Sequence, residues 1–261
     1  MRVLIAGATG VLGQGIVHEL TALPGMLNMR HFDCDLAATN RLRTEATDHL
    51  LAAGRAVDVR RFVAQSFAGW PFARVGGPGK TEEDPLDLTP AAGMRETLAA
   101  LRHLEDAVLG AEWTEGVVLR YGNVYGPGTA FEPGRGAQAE MIRKRKLPLV
   151  GAGTGVWSFV DVNDAADATV TAVSTGPRGI YNIVDDDPAP VAEWLSVVAR
   201  SLGAGSPRRV PGWLARLIAG KPALVAMTEA RGASKAKAKR DLRWQPSKPS
   251  WRGNLGRVDD L

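Results

Sequence analysis

The segment MRVLIAGATGVLG, residues 1–13, decides the fold of this 261-residue chain. Its apolar run at 3–6 predicts a short buried strand, and its three glycines predict a tight turn into a helix. Such a turn lets the backbone approach a pyrophosphate, whose charge is met by N–H groups and by the dipole at the helix N-terminus. We therefore predict a dinucleotide site, and an ordinary glycine-rich strand–helix turn is the alternative. The residues predicted to contact the phosphates are Gly7, Thr9, Gly10, Val11, Leu12 and Gly13.

Helical and strand patterns alternate along the rest of the chain. Helical patterns cover 12–23, 40–53, 90–109, 163–174, 191–202 and 212–219, and strand patterns cover 61–66, 117–120 and 179–184, with a further strand near Phe159. This alternation predicts an α/β fold, a parallel sheet with helices on both faces and ligands at the carboxyl ends of the strands. Thr89 as cap and Pro90 as first residue are predicted to begin the third of these helices. The basic last forty residues are expected to wrap the surface.

Composition narrows the class of protein. The single cysteine, Cys34, excludes an internal disulfide and suits a cytoplasmic protein, and the four histidines lack metal-ligand spacing. No apolar stretch approaches the length of a membrane span. The net charge of +4 reflects basic clusters at 143–146 and 235–243, which no nucleic-acid-binding motif accompanies. We expect a small-molecule substrate, no metal, and no nucleic-acid or membrane partner, and a homodimer stays open.

Several segments together resemble the extended short-chain dehydrogenases/reductases, in particular the NAD-dependent epimerase/dehydratase family. They are GATGVLG (7–13), RFVAQS (61–66), RYGNVYGPG (120–128), WSFVDVNDAA (157–166) and IYNIV (180–184), followed by DLRW (241–244) near the end. The resemblance implies a Rossmann-like doubly wound parallel sheet with a small C-terminal substrate lobe. It also implies NAD or NADP as cofactor, and oxidoreduction or epimerisation of a small polar, sugar-like substrate. On this basis 1–128 form the NAD(P)-binding core, and 129–261 supply the remaining core elements and the lobe.

The resemblance also suggests roles for individual residues. Ser66 matches the serine that orients a substrate carbonyl, and a polar cap on the strand end is an equal alternative. Asn123 matches a substrate-binding asparagine, with ordinary turn chemistry as the rival. Tyr125 is a weak candidate for the acid and is expected to pack against the sheet edge. Arg120 is expected to be a structural donor, and Asp161 and Asp164 to be helix caps.

Three departures from the family pattern affect the expected function. One or two βαβ units are missing between the glycine turn and residue 40, so the Rossmann half is truncated. The catalytic Tyr-x-x-x-Lys pair is absent, and the helix that should carry it offers Met94 with Leu98 or Thr97 with Leu101. The family's phosphate-binding Arg is replaced by Trp157 or Ser158. The alternatives to an enzyme are therefore a non-catalytic dinucleotide sensor or a degenerate paralogue that hardly binds cofactor.

Overall fold

A three-stranded parallel sheet lies at the centre of the computed structural model, which describes residues 26–255. The strands are β1 (Arg61–Phe67), β2 (Gly79–Lys80), β3 (Glu115–Tyr121), β4 (Asn123–Tyr125), β5 (Leu149–Val150), β6 (Val156–Trp157), β7 (Phe159–Asp161), β8 (Gly179–Ile183), β9 (Ala189–Pro190), β10 (Arg209–Val210) and β11 (Gly232–Ala233). The central sheet has the order β1-β3-β8, and the register sets Ser66 opposite Arg120 and Phe67 opposite Tyr121. Two-stranded pairs β4–β7, β2–β11, β5–β10 and β6–β9 surround it.

The helices are α1 (Phe32–Asp35), α2 (Ala37–Arg41), α3 (Thr47–Ala56), α4 (Arg95–Gly110), α5 (Ala137–Arg143), α6 (Val162–Ser174), α7 (Val191–Ser201) and α8 (Gly212–Leu224), and a π-helical turn Leu42–Ala46 joins α2 to α3. Of these, α4 and α6 pack on opposite faces of the central sheet. Val118 of β3 packs against Leu104 and Val108 of α4, whereas the adjacent Val117 joins the cluster that contains α6. Alternate strand residues thus face opposite helices, as the pleat requires. The predicted α/β fold is confirmed.

The predicted truncation affects which strand lies next to β1. Within residues 26–255, β1 pairs with β3 alone. The strand predicted at 3–6, the glycine turn at 7–13 and the helical pattern at 12–23 lie outside the described residues. That the first strand lies beside β1, or is separated from it by one short strand drawn from 15–23, therefore stays a prediction.

The start of α4 differs from the sequence-based expectation. A 3₁₀ turn covers Ala92–Met94, and the regular helix begins only at Arg95, with no cap from Thr89. The carboxylate of Asp33 instead accepts hydrogen bonds from the backbone N–H of Glu96 (3.2 Å) and of Thr97 (2.9 Å). Free N–H groups in a first helical turn require an acceptor, and Asp33 supplies one from a distant segment.

The C-terminal residues enter the core, so the expectation that they only wrap the surface is wrong. Trp251 is fully buried and packs on Phe159, with ring centroids 5.8 Å apart. Its backbone N–H donates to Asp185 (2.9 Å). Asp161 caps α6 as predicted, since it accepts from the N–H of Asn163 (2.9 Å). Asp164 is not a cap: it accepts from the backbone N–H groups of residues 247 and 248 and so anchors the C-terminal segment.

Candidate active site

A pocket opens where β1 and β3 end, at the edge of the sheet where parallel α/β folds bind their ligands. Much of its wall is aromatic, formed by Phe32, Phe67, Trp70 and Phe131. The rings of Phe32 and Trp70 meet edge to face, with centroids 5.4 Å apart. Such a wall fits a flat, conjugated ligand better than a fully hydroxylated one.

Helix α4 contributes Thr97 and Leu101 to this pocket. Residues four apart lie on one face of a helix. Of the two pairs that the sequence offered, Thr97 and Leu101 therefore line the pocket, while Met94 and Leu98 are buried and do not line it. Neither a threonine hydroxyl nor an alkyl chain can act as a general acid near neutral pH.

The Thr97 hydroxyl belongs to a chain of hydrogen bonds along the pocket wall. It donates to the Asp33 carboxylate (2.7 Å) and accepts from Asn40 Nδ2 (3.1 Å). Asn40 Oδ1 in turn accepts from Arg43 Nη1 (3.2 Å). Asp33 thus acts as a cap carboxylate for α4, and its bonds to the backbone N–H and the hydroxyl of Thr97 fix the position of Thr97.

Ser66 lies behind the pocket rather than on its wall. It is buried, and its hydroxyl donates to Glu105 Oε1 (2.6 Å). The same carboxylate receives two bonds from Arg120, from Nε (2.7 Å) and from Nη2 (2.5 Å). These contacts fit the alternative in which Ser66 is a structural polar group, and they confirm Arg120 as a structural donor. The next residue, Phe67, is the one that lines the pocket.

Asn123 lines the pocket, as its predicted role in binding requires. Its Nδ2 donates to the carbonyl oxygen of Ser158 (3.0 Å), which fixes the plane of the amide. Gln138, which the sequence did not single out, also lines the pocket; its side chain is buried, and Oε1 has no hydrogen-bond partner among the described residues. A buried acceptor of this kind favours a ligand that brings a donor.

Tyr125, the weak candidate for the acid, is in the core and is not among the described residues that line the pocket. Burial, together with the nearby carboxylates of Asp161 and Asp185, raises the pKa of its phenol. A higher pKa keeps the phenol neutral and makes it a weaker proton donor. Its hydroxyl has no hydrogen-bond partner within the described part of the chain.

The position of the family's phosphate-binding Arg is filled by core side chains. Trp157 is buried and donates its indole N–H to the carbonyl oxygen of Ala226 (2.8 Å), and the Ser158 hydroxyl accepts from the N–H of Ala233 (2.9 Å). Across residues 26–255, no group of three or more His, Cys, Asp or Glu side chains could hold a metal ion. Within the same range no helix combines the length and apolarity needed to cross a membrane.

Two relatives of the chain are reductases. A 3-diazoavenalumate denitrifying reductase of a Streptomyces species is 43% identical over 243 residues, which are 93% of this chain and 78% of that protein. A dTDP-4-dehydro-6-deoxy-D-allose reductase of Streptomyces bikiniensis is 30% identical over 110 residues, 40% of this chain and 32% of that protein.

A solved structure and a family model agree with these relatives. UDP-glucose 4-epimerase of Thermotoga maritima superposes with a TM-score of 0.64 at 20% identity, over 84% of this chain and 69% of that one, and this likeness shows the fold. The model of the NAD dependent epimerase/dehydratase family matches residues 35–184, more than half of the chain. Together with the relative that matches nearly the whole length, this match shows that the chain belongs to the NAD-dependent epimerase/dehydratase family of oxidoreductases and epimerases.

Proposed function

We propose that the protein is an NAD(P)-dependent reductase that replaces a diazo group of a small conjugated substrate by hydrogen, without a proton from a pocket residue. One observation carries the proposal: α4 turns Thr97 and Leu101 toward the pocket where the family's Tyr-x-x-x-Lys pair is expected. Among the described residues that line the pocket, none is an Asp, Glu, His, Cys, Lys or Tyr. A carbonyl reduction needs an acid for the developing alkoxide, so this wall suits a reaction that needs none.

Diazo reduction meets that condition. In the diazonium form, a hydride forms the new C–H bond, the C–N bond breaks, and its electron pair leaves with the nitrogen as N₂. The carbon is reduced and the hydride donor is oxidised, and no proton enters the balance. The 43% identical relative carries out a denitrifying reduction of a diazo compound, according to its name.

The residues present fit a dinucleotide and a planar substrate. The glycine turn at 7–13 would hold the phosphates. Asn123 and Gln138 Oε1, which has no hydrogen-bond partner among residues 26–255, suit the carboxamide of a nicotinamide. When bound, the nicotinamide supplies the hydride. The chain's own part is to orient the substrate between the aromatic side chains and to exclude water, because water would compete with hydride for a diazonium carbon.

A sugar nucleotide is the second candidate substrate, favoured by the match to the dTDP-sugar reductase. Against it stands the buried Trp157, where the family places a guanidinium for the phosphates. Indole cannot replace a bidentate guanidinium.

A direct assay separates these functions. The purified chain is mixed with NADPH or NADH and either 3-diazoavenalumate or a dTDP-4-keto sugar, and cofactor oxidation is followed together with N₂ release. We expect cofactor oxidation with the diazo acid only, one N₂ per cofactor, and loss of both in Gly10→Val, where a side chain would fill the space of the pyrophosphate. Oxidation with the sugar alone would support the second candidate. Cofactor binding without turnover would indicate a sensor, and no binding a degenerate paralogue.

A further inference from the structure

The first turns of α8 carry an apolar patch that faces solvent. Trp213, Leu217 and Ile218 are 71%, 63% and 63% exposed, and they are three of the eight large hydrophobic side chains that are exposed among residues 26–255. Positions 213 and 217 are four apart and so lie on one face of the helix, and 218 follows directly. Exposed apolar side chains are ordinarily scattered singly, whereas a group of them marks a surface that meets a partner.

The chain around this patch is strongly basic. Residues 194–228 contain five Arg or Lys side chains and no Asp or Glu. Four of the five lie within five positions of the patch and are exposed, namely Arg208, Arg209, Arg216 and Lys221. In the part of the chain that the structure describes, none of these four pairs with a carboxylate, although several other exposed arginines do. The unpaired cations make this surface positive, so its charge complements an anionic partner.

The opposite face of α8 holds the helix in the core. Ala215, Pro222 and Ala223 are buried there, and the helix also contacts the 3₁₀ turn Met26–His31. The patch therefore protrudes from a helix that is already ordered, and binding through it costs little further backbone entropy.

We propose that this patch binds the surface of a membrane that contains anionic lipids. Trp213, Leu217 and Ile218 enter the boundary between headgroups and acyl chains, and the flanking cations meet the headgroup phosphates. Exposed Trp and aliphatic residues flanked by Arg and Lys are typical of helices that lie in this boundary, where an indole places its ring in apolar and its N–H in polar surroundings. A second copy of the chain suits the patch less well, because it would bring the same cations together.

A helix in the lipid interface does not need the length of a span. The proposal therefore departs from the expectation that the protein has no membrane partner. It is independent of the proposed function, because none of the three patch residues lines the pocket.

Flotation with lipid vesicles tests the proposal on the whole purified chain. The vesicles consist of phosphatidylcholine alone or of phosphatidylcholine with about one quarter phosphatidylglycerol. One variant combines Trp213→Ser, Leu217→Ser and Ile218→Ser, and a second combines Arg208→Gln with Arg209→Gln. All five side chains are exposed, and thermal unfolding checks that each variant is folded.

We expect the wild type to bind the mixed vesicles and to bind phosphatidylcholine alone far more weakly. The serine variant should lose about 100-fold or more in partition coefficient, because its apolar side chains no longer leave water. The glutamine variant should lose about 30-fold, the usual effect of two cations near an anionic surface. Added salt should weaken the binding, since it screens exposed charges.

Two control variants remove similar groups elsewhere on the surface. Val75→Ser with Leu88→Ser removes two exposed apolar side chains, and Lys239→Gln with Arg240→Gln removes two exposed charges. Both controls should bind the mixed vesicles like the wild type. Losses in the controls as large as those in the patch variants would overturn the proposal, because the attraction would then belong to the whole surface.

Brominated lipids report contact at the patch itself, because bromine on the acyl chains quenches a tryptophan that reaches it. Trp213 is the one exposed tryptophan of the seven, and the other six are buried or half-buried. Quenching is expected in the wild type and should disappear in Trp213→Phe.

Quenching that persists in Trp213→Phe would overturn the proposal. So would a wild type that does not bind the mixed vesicles, and an acidic protein surface would then be the candidate partner. Analytical ultracentrifugation covers the remaining occupant: dimers of the wild type that the serine variant separates would show that the patch joins two copies, and the proposal would be wrong.

Discussion

Replacement of Glu105 by Ala should strongly destabilise the protein. The side chains of Glu105 and Arg120 are only 6% and 4% exposed, and the carboxylate receives two bonds from Arg120 and one from Ser66. Removing one partner of a buried ion pair leaves an uncompensated charge and costs about 3–5 kcal/mol. For a protein of this size, each kcal/mol lowers Tm by roughly 2–4 °C, so a loss of about 4 kcal/mol corresponds to roughly 8–16 °C.

Calorimetric or fluorescence-detected thermal unfolding measures this shift, and a double variant serves as the control. Glu105→Leu combined with Arg120→Met removes both charges and should recover most of the loss, because apolar residues of similar size often replace a buried pair without penalty. A drop of less than about 3 °C for Glu105→Ala would refute the reasoning. So would a double variant no more stable than the single one.

Three further outcomes follow from the same structure. Ser66→Ala should lower the free energy of unfolding by about 1.5–3 kcal/mol, because the hydrogen bond to the charged Glu105 is lost. It should leave kcat within a few-fold of the wild type, and a hundredfold lower kcat would instead mean that Ser66 contacts the substrate. Thr97→Val should also retain kcat within a few-fold in steady-state assays, since its hydroxyl already donates to Asp33, and a large loss at unchanged KM would mean that the hydroxyl acts in the transition state. Burial raises the pKa of Asp185 to about 7, so the folded chain keeps a proton that the unfolded chain releases above about pH 4. Stability should therefore fall between about pH 4 and 7, and Asp185→Asn should flatten this part of a Tm-against-pH profile, which an unchanged slope would contradict.

Local patterns predicted most of the fold. The strand at 61–66 is observed as Arg61–Phe67, and the helix expected at 163–174 as Val162–Ser174. These elements follow from side-chain periodicity within ten or so residues, which a sequence displays directly. The burial of Trp251 could not be predicted from the local sequence, because the segment around it is basic and contains two prolines, as surface segments often do. Its burial depends on contacts with the distant residues Asp185 and Phe159.

The pocket was only partly predictable, since its polar wall is built from distant contacts. Asn40 meets Thr97 across 57 positions, and no local pattern shows that pairing. Whether Ser66 or Phe67 lines the pocket depends on which side chain faces it at the end of β1. Neighbouring strand residues point to opposite faces of the sheet, so a shift of one residue exchanges the two. Asn123 was predicted from the resemblance of its loop, RYGNVYGPG (120–128), to the family pattern. Gln138 was not singled out, because it lies in the first turn of a short helix, Ala137–Arg143, that no local motif connects to the pocket.

The origin of the hydrogen in the product tests the central claim most directly. The purified chain is incubated with 3-diazoavenalumate and NADPH deuterated at both C4 positions, in ordinary water, and the product is analysed by mass spectrometry and NMR. The account predicts one deuterium at the carbon that lost N₂, because the hydrogen arrives as hydride and not from a protein acid. Hydrogen from solvent at that carbon, or no reduction of the diazo acid at all, would contradict it.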